Sequence, residues 1–350
     1  MVKAYINGRF LSQQITGVQQ FAFEICRYLQ NADLDLTLLV PKGVVVPQAL
    51  SHLPSVTVGK NSGYLWEQVE LPSWLKKQGS PLLINFCNTA PLMYPNQWVT
   101  IHDLAFMHHP EWFSGSFSRV YRFLIPRIAK RSKKVFTVSR TIEQQLQTVL
   151  KVPAEKITIL YNGLSHDLLK AGHSGTGNRK KMILTVSSIN PRKNLDTLIE
   201  AFGISGLTDY ELVIVGATNA VFARQKQQKL LPPHVRFAGY VNNEELIRLY
   251  RDAALMVSLS HDEGFGIPVL EALYSGCQVL LSDIPVYREC FGEVALFTSD
   301  TDAHKAAGDM SYALKHPPLA LSIHGLLDLY SYEASAKKLT NLLRETAEKM

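Results

Sequence analysis

The feature that most constrains this chain is a rhythm. Short runs of Val, Ile and Leu alternate with helical stretches, and the alternation occurs twice. In the first half the apolar runs are Val2–Ile6, Leu36–Val40, Leu82–Phe86, Val99–Ile101 and Val135–Val138. Helical periodicity falls between them at Val18–Leu29, Glu67–Lys77 and Thr141–Leu150. The second half has runs at Ile183–Val186, Leu212–Val215, Val235–Phe237, Leu255–Leu259 and Val279–Leu281. Its helical stretches are Asn194–Phe202, Asn243–Asp252 and Pro268–Ser275. Short strands apolar on both faces and separated by helices mark parallel sheets covered on both sides. Parallel crossovers are right-handed, so each half is expected to be a doubly wound α/β domain. At 350 residues the chain also exceeds one hydrophobic core. The expected division is 1–168, 169–330 and a final segment, 331–350. That segment reads as an amphipathic helix with Ala336, Leu339, Leu342 and Leu343 on one stripe. It either caps the second domain or crosses back to the first. The joint is expected within Asn162–Lys181, which holds the run GHSGTGNRKK. Two such domains are expected to face each other across a cleft, with ligands at the carboxyl ends of the strands.

Composition narrows the class. Hydrophobic residues are 46 % and charged residues 19 %, which excludes disorder, collagen and coiled coil. No run of about 18 apolar residues is present, so no membrane-crossing helix is expected. The start, MVKAYINGRF, lacks an apolar signal core. Cys26, Cys87, Cys277 and Cys290 show no CxxC spacing. Neither a disulfide framework nor a structural zinc site is expected, and a cytoplasmic location is the default. Charge is uneven: residues 1–170 carry 18 Lys and Arg against 10 Asp and Glu. Much of the excess lies in 119–134, as Arg119, Arg122, Arg127, Lys130, Arg131, Lys133 and Lys134, interleaved with Val120, Tyr121, Phe123, Leu124, Ile125 and Ile128. Two readings fit: a basic amphipathic helix resting on an anionic membrane surface, or a core-packing helix with a solvated basic face. Nucleic acid is not an expected partner, because no helix-turn-helix, zinc finger or stacking-aromatic motif accompanies the charge.

The densest chemical signal is HDEGFGIPVLEALYSGCQVLLSD, directly after the apolar run Leu255–Leu259. Gly264 and Gly266 let the backbone approach a ligand closely. Pro268 suits a first helical turn and Gly276 the position just past the end. A glycine-rich loop leading into a helix N-terminus suits a phosphate or pyrophosphate. Glu263 precedes the helix and Glu271 lies inside it, eight positions on, so two carboxylates are available to hydroxyls of an extended ligand. Taken singly, Glu271 reads as a helix-dipole residue and Glu263 as a loop charge. The combined spacing with both glycines and the proline favours a site.

Glu263 through Glu271, with Gly264, Phe265, Gly266 and Pro268 between, resembles the E-x7-E signature of retaining glycosyltransferases of family 4. The likeness is closest to the bacterial mannosyltransferase-like members. It extends over TGVQQFAFEICRYL, WEQVELP, VTIHDLAFMHHPEWF, VFTVSRTIEQQL, YNGLS, ILTVSSINPRKNLDTLIEAF, VRFAGYVNNEELIRLY and YSYEASAKKLTNLL. In GCQVLLSDIPVYREC, Gln278 stands where proline is commoner. The resemblance implies the GT-B fold, two Rossmann-like domains with a nucleotide sugar in the cleft.

It also implies roles. Glu263 would contact donor-sugar hydroxyls and Glu271 the ribose, with backbone N–H groups of Gly264, Phe265 and Gly266 around sugar and phosphate. Arg192 and Lys193 would neutralise the leaving diphosphate; many members carry arginine where this chain has Ser188. Fixed cations stabilise such a leaving group without reorganising. His102 would touch the donor sugar near the reacting carbon, and Asp103 would orient His102 or meet the acceptor hydroxyl. Gly17 matches a glycine loop under the donor phosphates, although an ordinary turn explains it nearly as well. Tyr240 and Val241 would lie near the nucleobase, or Tyr240 would pack as a core aromatic. His108 and His109 read as loop residues, because no carboxylate follows at ligand spacing. Asp300-Thr301-Asp302 reads as a surface turn. No metal or other cofactor is expected, the nucleotide sugar being a co-substrate.

The expected activity is transfer of a hexose, mannose from GDP-mannose, to a saccharide or lipid-linked saccharide acceptor, with retention. The competing classes are the same fold with a UDP-, dTDP- or other GDP-sugar, and a nucleotide-sugar-binding protein without turnover. A dinucleotide-dependent oxidoreductase would need GxGxxG after the first strand, where the chain has Asn7-Gly8-Arg9.

Overall fold

The computed structural model describes residues 2–29, 34–173, 179–216, 232, 234–316 and 323–348. The chain forms two compact units, one of residues 1–165 with 328–350, the other of residues 166–327. The boundary falls inside the stretch Asn162–Lys181, of which residues 174–178 lie outside those described.

The first unit is built on a seven-stranded sheet in the order β3-β2-β1-β4-β5-β6-β7. Its strands are β1 Val2–Asn7, β2 Leu34–Pro41, β3 Ser55–Val58, β4 Leu82–Asn85, β5 Gln97–Thr100, β6 Lys134–Thr137 and β7 Ile157–Ile159. The second unit has a six-stranded sheet in the order β10-β9-β8-β11-β12-β13. Its strands are β8 Lys180–Val186, β9 Glu211–Val215, β10 Val235–Gly239, β11 Ala253–Ser258, β12 Gln278–Ser282 and β13 Leu296–Thr298. All pairings are parallel. β4, β5 and β12 are buried along their whole length, as helices on both faces require. The expected pair of doubly wound α/β domains is what the chain forms.

Three strands escape the apolar-run criterion: β3, β7 and β13, each of three or four residues and each at or near a sheet edge. Edge strands are half-covered, so sequence need not make them apolar. Ser55, Val56 and Thr57 are exposed in β3. The expected helix Glu67–Lys77 is also modified. Pro72 has no N–H to give Gln68, and the chain takes a π-turn over Trp66–Glu70 before the helix Leu71–Lys77.

The closing helix, Tyr332–Glu348, belongs to the first unit. It buries Ala336, Leu339 and Leu343 beside the helix Gly17–Tyr28. Ser335 Oγ donates to Tyr161 O at 2.8 Å and Lys338 Nζ to Ile159 O at 3.1 Å. Gly163 allows this approach, since a Cβ there would sit 2.5 Å from Tyr332 N. The stretch 119–134 falls on the helix Gly115–Arg131 and the start of β6. Ile125, Ile128 and Ala129 face the core. Arg119, Val120, Arg122, Phe123, Arg127, Lys130 and Arg131 are exposed. No helix among the described residues is long and apolar enough to cross a membrane.

Candidate active site

In the second sheet the strand order reverses between β8 and β11, and doubly wound sheets bind ligands beyond such a reversal. The loops leaving these two strands meet there. After β8, Asn190 Oδ1 accepts from Arg192 N at 2.9 Å and opens a 3-10 turn, Pro191–Lys193. Asn194 then takes the left-handed conformation, φ 51°, and donates to Leu259 O at 3.1 Å and Asp300 O at 2.5 Å. His261 N donates to Arg192 O at 2.9 Å. These bonds tie the basic pair to the loop after β11, and Lys193 Nζ reaches Glu263 Oε1 at 2.5 Å.

Glu263 is 8 % exposed. Oε1 also accepts from Ser260 Oγ at 2.8 Å and Tyr287 OH at 3.3 Å. Burial opposes its ionisation most strongly. The charges of Lys193 and Arg192, with hydrogen bonds from Lys193 and Ser260, outweigh it and hold the carboxyl below its ordinary value. The Tyr287 phenol is pushed well up by burial and by Glu263, so it stays a donor.

The next residues turn the chain into a helix. Gly266 has φ +110°, and a Cβ there would lie 2.8 Å from the Tyr287 ring. Phe265 is buried beside Phe291, with ring centroids 5.8 Å apart. The helix Ile267–Tyr274 carries Pro268 in its first turn. It ends where Cys277 N bonds Ala272 O and Gly276 N bonds Leu273 O, Gly276 having φ +73°. Glu271, 7 % exposed, accepts from Tyr250 OH at 2.9 Å. Burial, then Glu271 itself, raises that phenol well above its usual value.

Lys193, Arg192 and Glu263 are thus brought together, while Glu271 is held by a tyrosine of the helix Asn243–Asp252. Ser188 is exposed; Tyr240 is 66 % exposed, so it is no core aromatic, and Val241 is half-buried. In the DxD-like turn, Asp302 caps the helix Ala303–Lys315 through Lys305 N at 3.0 Å. Asp300 Oδ2 pairs with His261 Nδ1 at 2.7 Å. Sequence reasoning passed over Ser260, Tyr287, Asn194 and Tyr250. Asn194 and Ser260 are neighbours in sequence of residues singled out; the tyrosines come from other segments and carry no local signal.

In the first unit His102 follows β5 and is 6 % exposed. Its Nε2 donates to Phe86 O at 2.8 Å, and its ring packs edge-on to Phe21 at 4.9 Å. A carbonyl only accepts, so Nε2 carries the proton. Burial lowers its pKa against the smaller opposing pull of Phe86 and Asp103. Asp103 Oδ1 accepts from Ala105 N at 3.2 Å. Gly17 is exposed at the first position of its helix, after Thr16. His108 ends a helical turn, Ala105–His108, rather than lying in a loop, and His109 stacks on Trp112 at 3.9 Å. The lowered His102 value has a consequence. The unfolded chain binds the proton more readily, so stability falls as pH drops below 6.5 toward the folded value. The loss of thermal midpoint between about pH 7 and pH 5.5 is expected to shrink in His102→Gln, as calorimetry at both pH values will read.

Comparison with known proteins fits this geometry. The description "Glycosyltransferase Family 4" matches residues 15–168, and "Glycosyl transferases group 1" matches residues 171–324. The O-antigen chain mannosyltransferase RfbU of Salmonella typhimurium is 31 % identical over 265 residues, 74 % of this chain and 72 % of that protein. O-antigen chain mannosyltransferase B of Escherichia coli is 24 % identical over 230 residues, 62 % of this chain and 60 % of that one. Among solved structures, sucrose-phosphate synthase from Thermosynechococcus elongatus superposes with a TM-score of 0.80 at 16 % identity over the whole of both chains. WaaG, a glycosyltransferase involved in lipopolysaccharide biosynthesis, gives 0.70 at 16 % identity over 98 % of this chain and 99 % of its own. With both halves matched and the two parallel sheets in place, the chain belongs to the family 4 glycosyltransferases of GT-B fold.

Proposed function

We propose that this glycosyltransferase moves mannose from GDP-mannose to a saccharide acceptor carried on a lipid, with retention of anomeric configuration, in the synthesis of a bacterial surface polysaccharide. The observation that carries the reading is the Lys193–Glu263 pair beside the β8/β11 reversal, with Arg192 adding its charge. The names of the O-antigen mannosyltransferase relatives support the sugar and the acceptor class.

The bond between the anomeric carbon and the phosphate oxygen breaks, and its electron pair leaves with the nucleoside diphosphate. Lys193 and Arg192 receive that charge, so positive charge is supplied by side chains and no metal is needed. Glu263 holds hydroxyls of the transferred sugar, Glu271 the ribose, and the N–H groups of Gly264, Phe265 and Gly266 the sugar and phosphate. The acceptor oxygen bonds the anomeric carbon on the face the diphosphate leaves, and its proton passes to the departing phosphate oxygen. Positioning and fixed charge do the catalytic work. The first unit receives the acceptor. The exposed basic helix Gly115–Arg131, with Phe123 and Val120 between its charges, rests on the anionic inner face of the cell membrane.

Titration calorimetry with GDP-, UDP- and dTDP-sugars, followed by acceptor-dependent release of nucleotide, tests the reading. GDP-mannose is expected to bind most tightly and to be consumed only with acceptor, undiminished by chelator. Binding without release in the presence of lipid-linked acceptors means a binding protein instead. Glu271→Ala is expected to weaken donor binding about ten- to a hundred-fold with a smaller effect on turnover, since it removes a charged hydrogen-bond acceptor. Co-sedimentation with phosphatidylglycerol vesicles, lost at high salt, checks the membrane contact.

A further inference from the structure

Two helices of the second unit end against one guanidinium. The helix Asn243–Asp252 closes at Ala253 and the helix Ile267–Tyr274 at Ser275. Arg179, just before β8, donates from Nη1 to Tyr250 O at 3.1 Å and to Arg251 O and Ala253 O at 3.0 Å. Its Nη2 donates to Ser275 O at 2.8 Å. Carbonyls at a helix C-terminus lack partners within the helix and carry the negative end of its dipole. A cation shared by two such ends fixes one helix against the other. The Cys277 thiol adds a weaker tie, Sγ to Ala253 O at 3.4 Å. The helices joined in this way are the two that carry Tyr250 and Glu271.

The last torsion of a glutamate is broad and roughly two-fold, so a carboxylate does not set its own plane. Tyr250 sets it for Glu271. The tyrosine is 1 % exposed and anchored at both ends, its carbonyl on Arg179 and its hydroxyl on Glu271 Oε2 at 2.9 Å. Burial and the neighbouring carboxylate keep the phenol protonated, so it stays a donor. The two hydroxyls of a ribose are donors held at a fixed spacing. A carboxylate whose plane is already set meets them without being ordered at the moment of binding, and that ordering otherwise weakens the complex. A tyrosine that served packing alone would contribute through its ring, and its hydroxyl would be indifferent to the ligand's sugar.

We propose that Tyr250 is a positioning residue for donor selection: acting through Glu271, it makes the second unit choose a nucleoside diphosphate by its ribose hydroxyls. The inference rests on the donor reading, in which Glu271 meets the ribose, and adds the group that sets that contact. Titration calorimetry on the full chain with GDP and 2′,3′-dideoxy-GDP tests it, with the matching UDP pair in parallel, since Tyr250 is not assigned to the base. The wild type is expected to prefer the ribonucleotide about ten-fold or more. Tyr250→Phe keeps the ring and is expected to weaken the ribonucleotide about three- to ten-fold while leaving the dideoxy form unchanged. With the nucleotide sugar, the loss is expected in KM and not in kcat. In a Glu271→Ala background, Tyr250→Phe is expected to change nothing further. Arg179→Lys keeps the charge but loses the planar fork, and is expected to lower the preference in the same direction. If Tyr250→Phe does not fold, that ratio in Arg179→Lys decides. Equal weakening of both nucleotides in Tyr250→Phe, or an unchanged preference, overturns the proposal, and the ribose contact stands if Glu271→Ala still abolishes the preference. A wild-type preference in Glu271→Ala overturns the ribose contact and the proposal with it, and binding of neither ribonucleotide overturns the donor reading as well.

Discussion

Replacing Lys193 with alanine is expected to lower turnover about a hundred- to a thousand-fold, the scale seen when one fixed charge-stabilising donor is removed from a transition state. The side chain sits 2.5 Å from a carboxylate that burial would otherwise push toward neutrality. Its loss therefore acts twice. The departing diphosphate loses a cation, and Glu263 loses the partner that keeps it ionised. Breaking one side of a buried ion pair costs about 3–5 kcal/mol, so the thermal midpoint should fall as well. The sign of the pH effect follows. Glu263 has a lowered folded value, so its stabilising contribution is present above 4.5 and is lost as pH falls through the folded value. In Lys193→Ala that contribution should shrink, because burial then opposes ionisation with less to offset it, so the loss of stability on acidification should be smaller than in the wild type. Lys193→Arg, which keeps the charge, should recover stability better than turnover. Donor affinity and turnover measured separately check this; full activity in Lys193→Ala would falsify the diphosphate role.

Gly266→Ala is expected to destabilise the second unit by about 2–5 kcal/mol. Forcing a residue with a Cβ into the left-handed region costs about 1–2 kcal/mol, and overpacking adds about 1–3 kcal/mol. Both apply here, since φ is +110° and the new carbon would lie 2.8 Å from the Tyr287 ring and 3.2 Å from Phe291. Neither ring has room to retreat, because both are buried. Tyr287 donates to Glu263 and shares a hydrogen bond with Ser258 at 2.8 Å, so a displaced ring disturbs the carboxylate. Chemical denaturation and donor titration should therefore shift together. A wild-type midpoint with intact donor binding would contradict this account of the loop.

Local sequence was informative wherever one segment carried its own constraint. The fully buried strands β4 and β12 had to be apolar on both faces, so they stood out as runs. Pro268 and Gly276 marked the two ends of one helix because each is needed for a local backbone reason, a first turn without an N–H and a left-handed exit. Edge strands β3 and β13 left no such trace, since one side has no sheet neighbour to satisfy. Tyr287 and Tyr250 were equally invisible: a tyrosine that bonds a carboxylate looks in sequence like one that only packs.

The sequence by itself determined two parallel α/β halves through periodicity, and the spacing of Glu263, Gly264, Gly266, Pro268 and Glu271 marked a glycine loop entering a helix, whereas Arg192 and Lys193 were singled out by the family resemblance alone. Tertiary structure alone decided that Lys193 meets Glu263 and that Glu271 is held by Tyr250. It also returned the last helix to the first unit. Those contacts join residues tens to hundreds of positions apart, and a parallel sheet brings together the carboxyl ends of strands far apart in the chain.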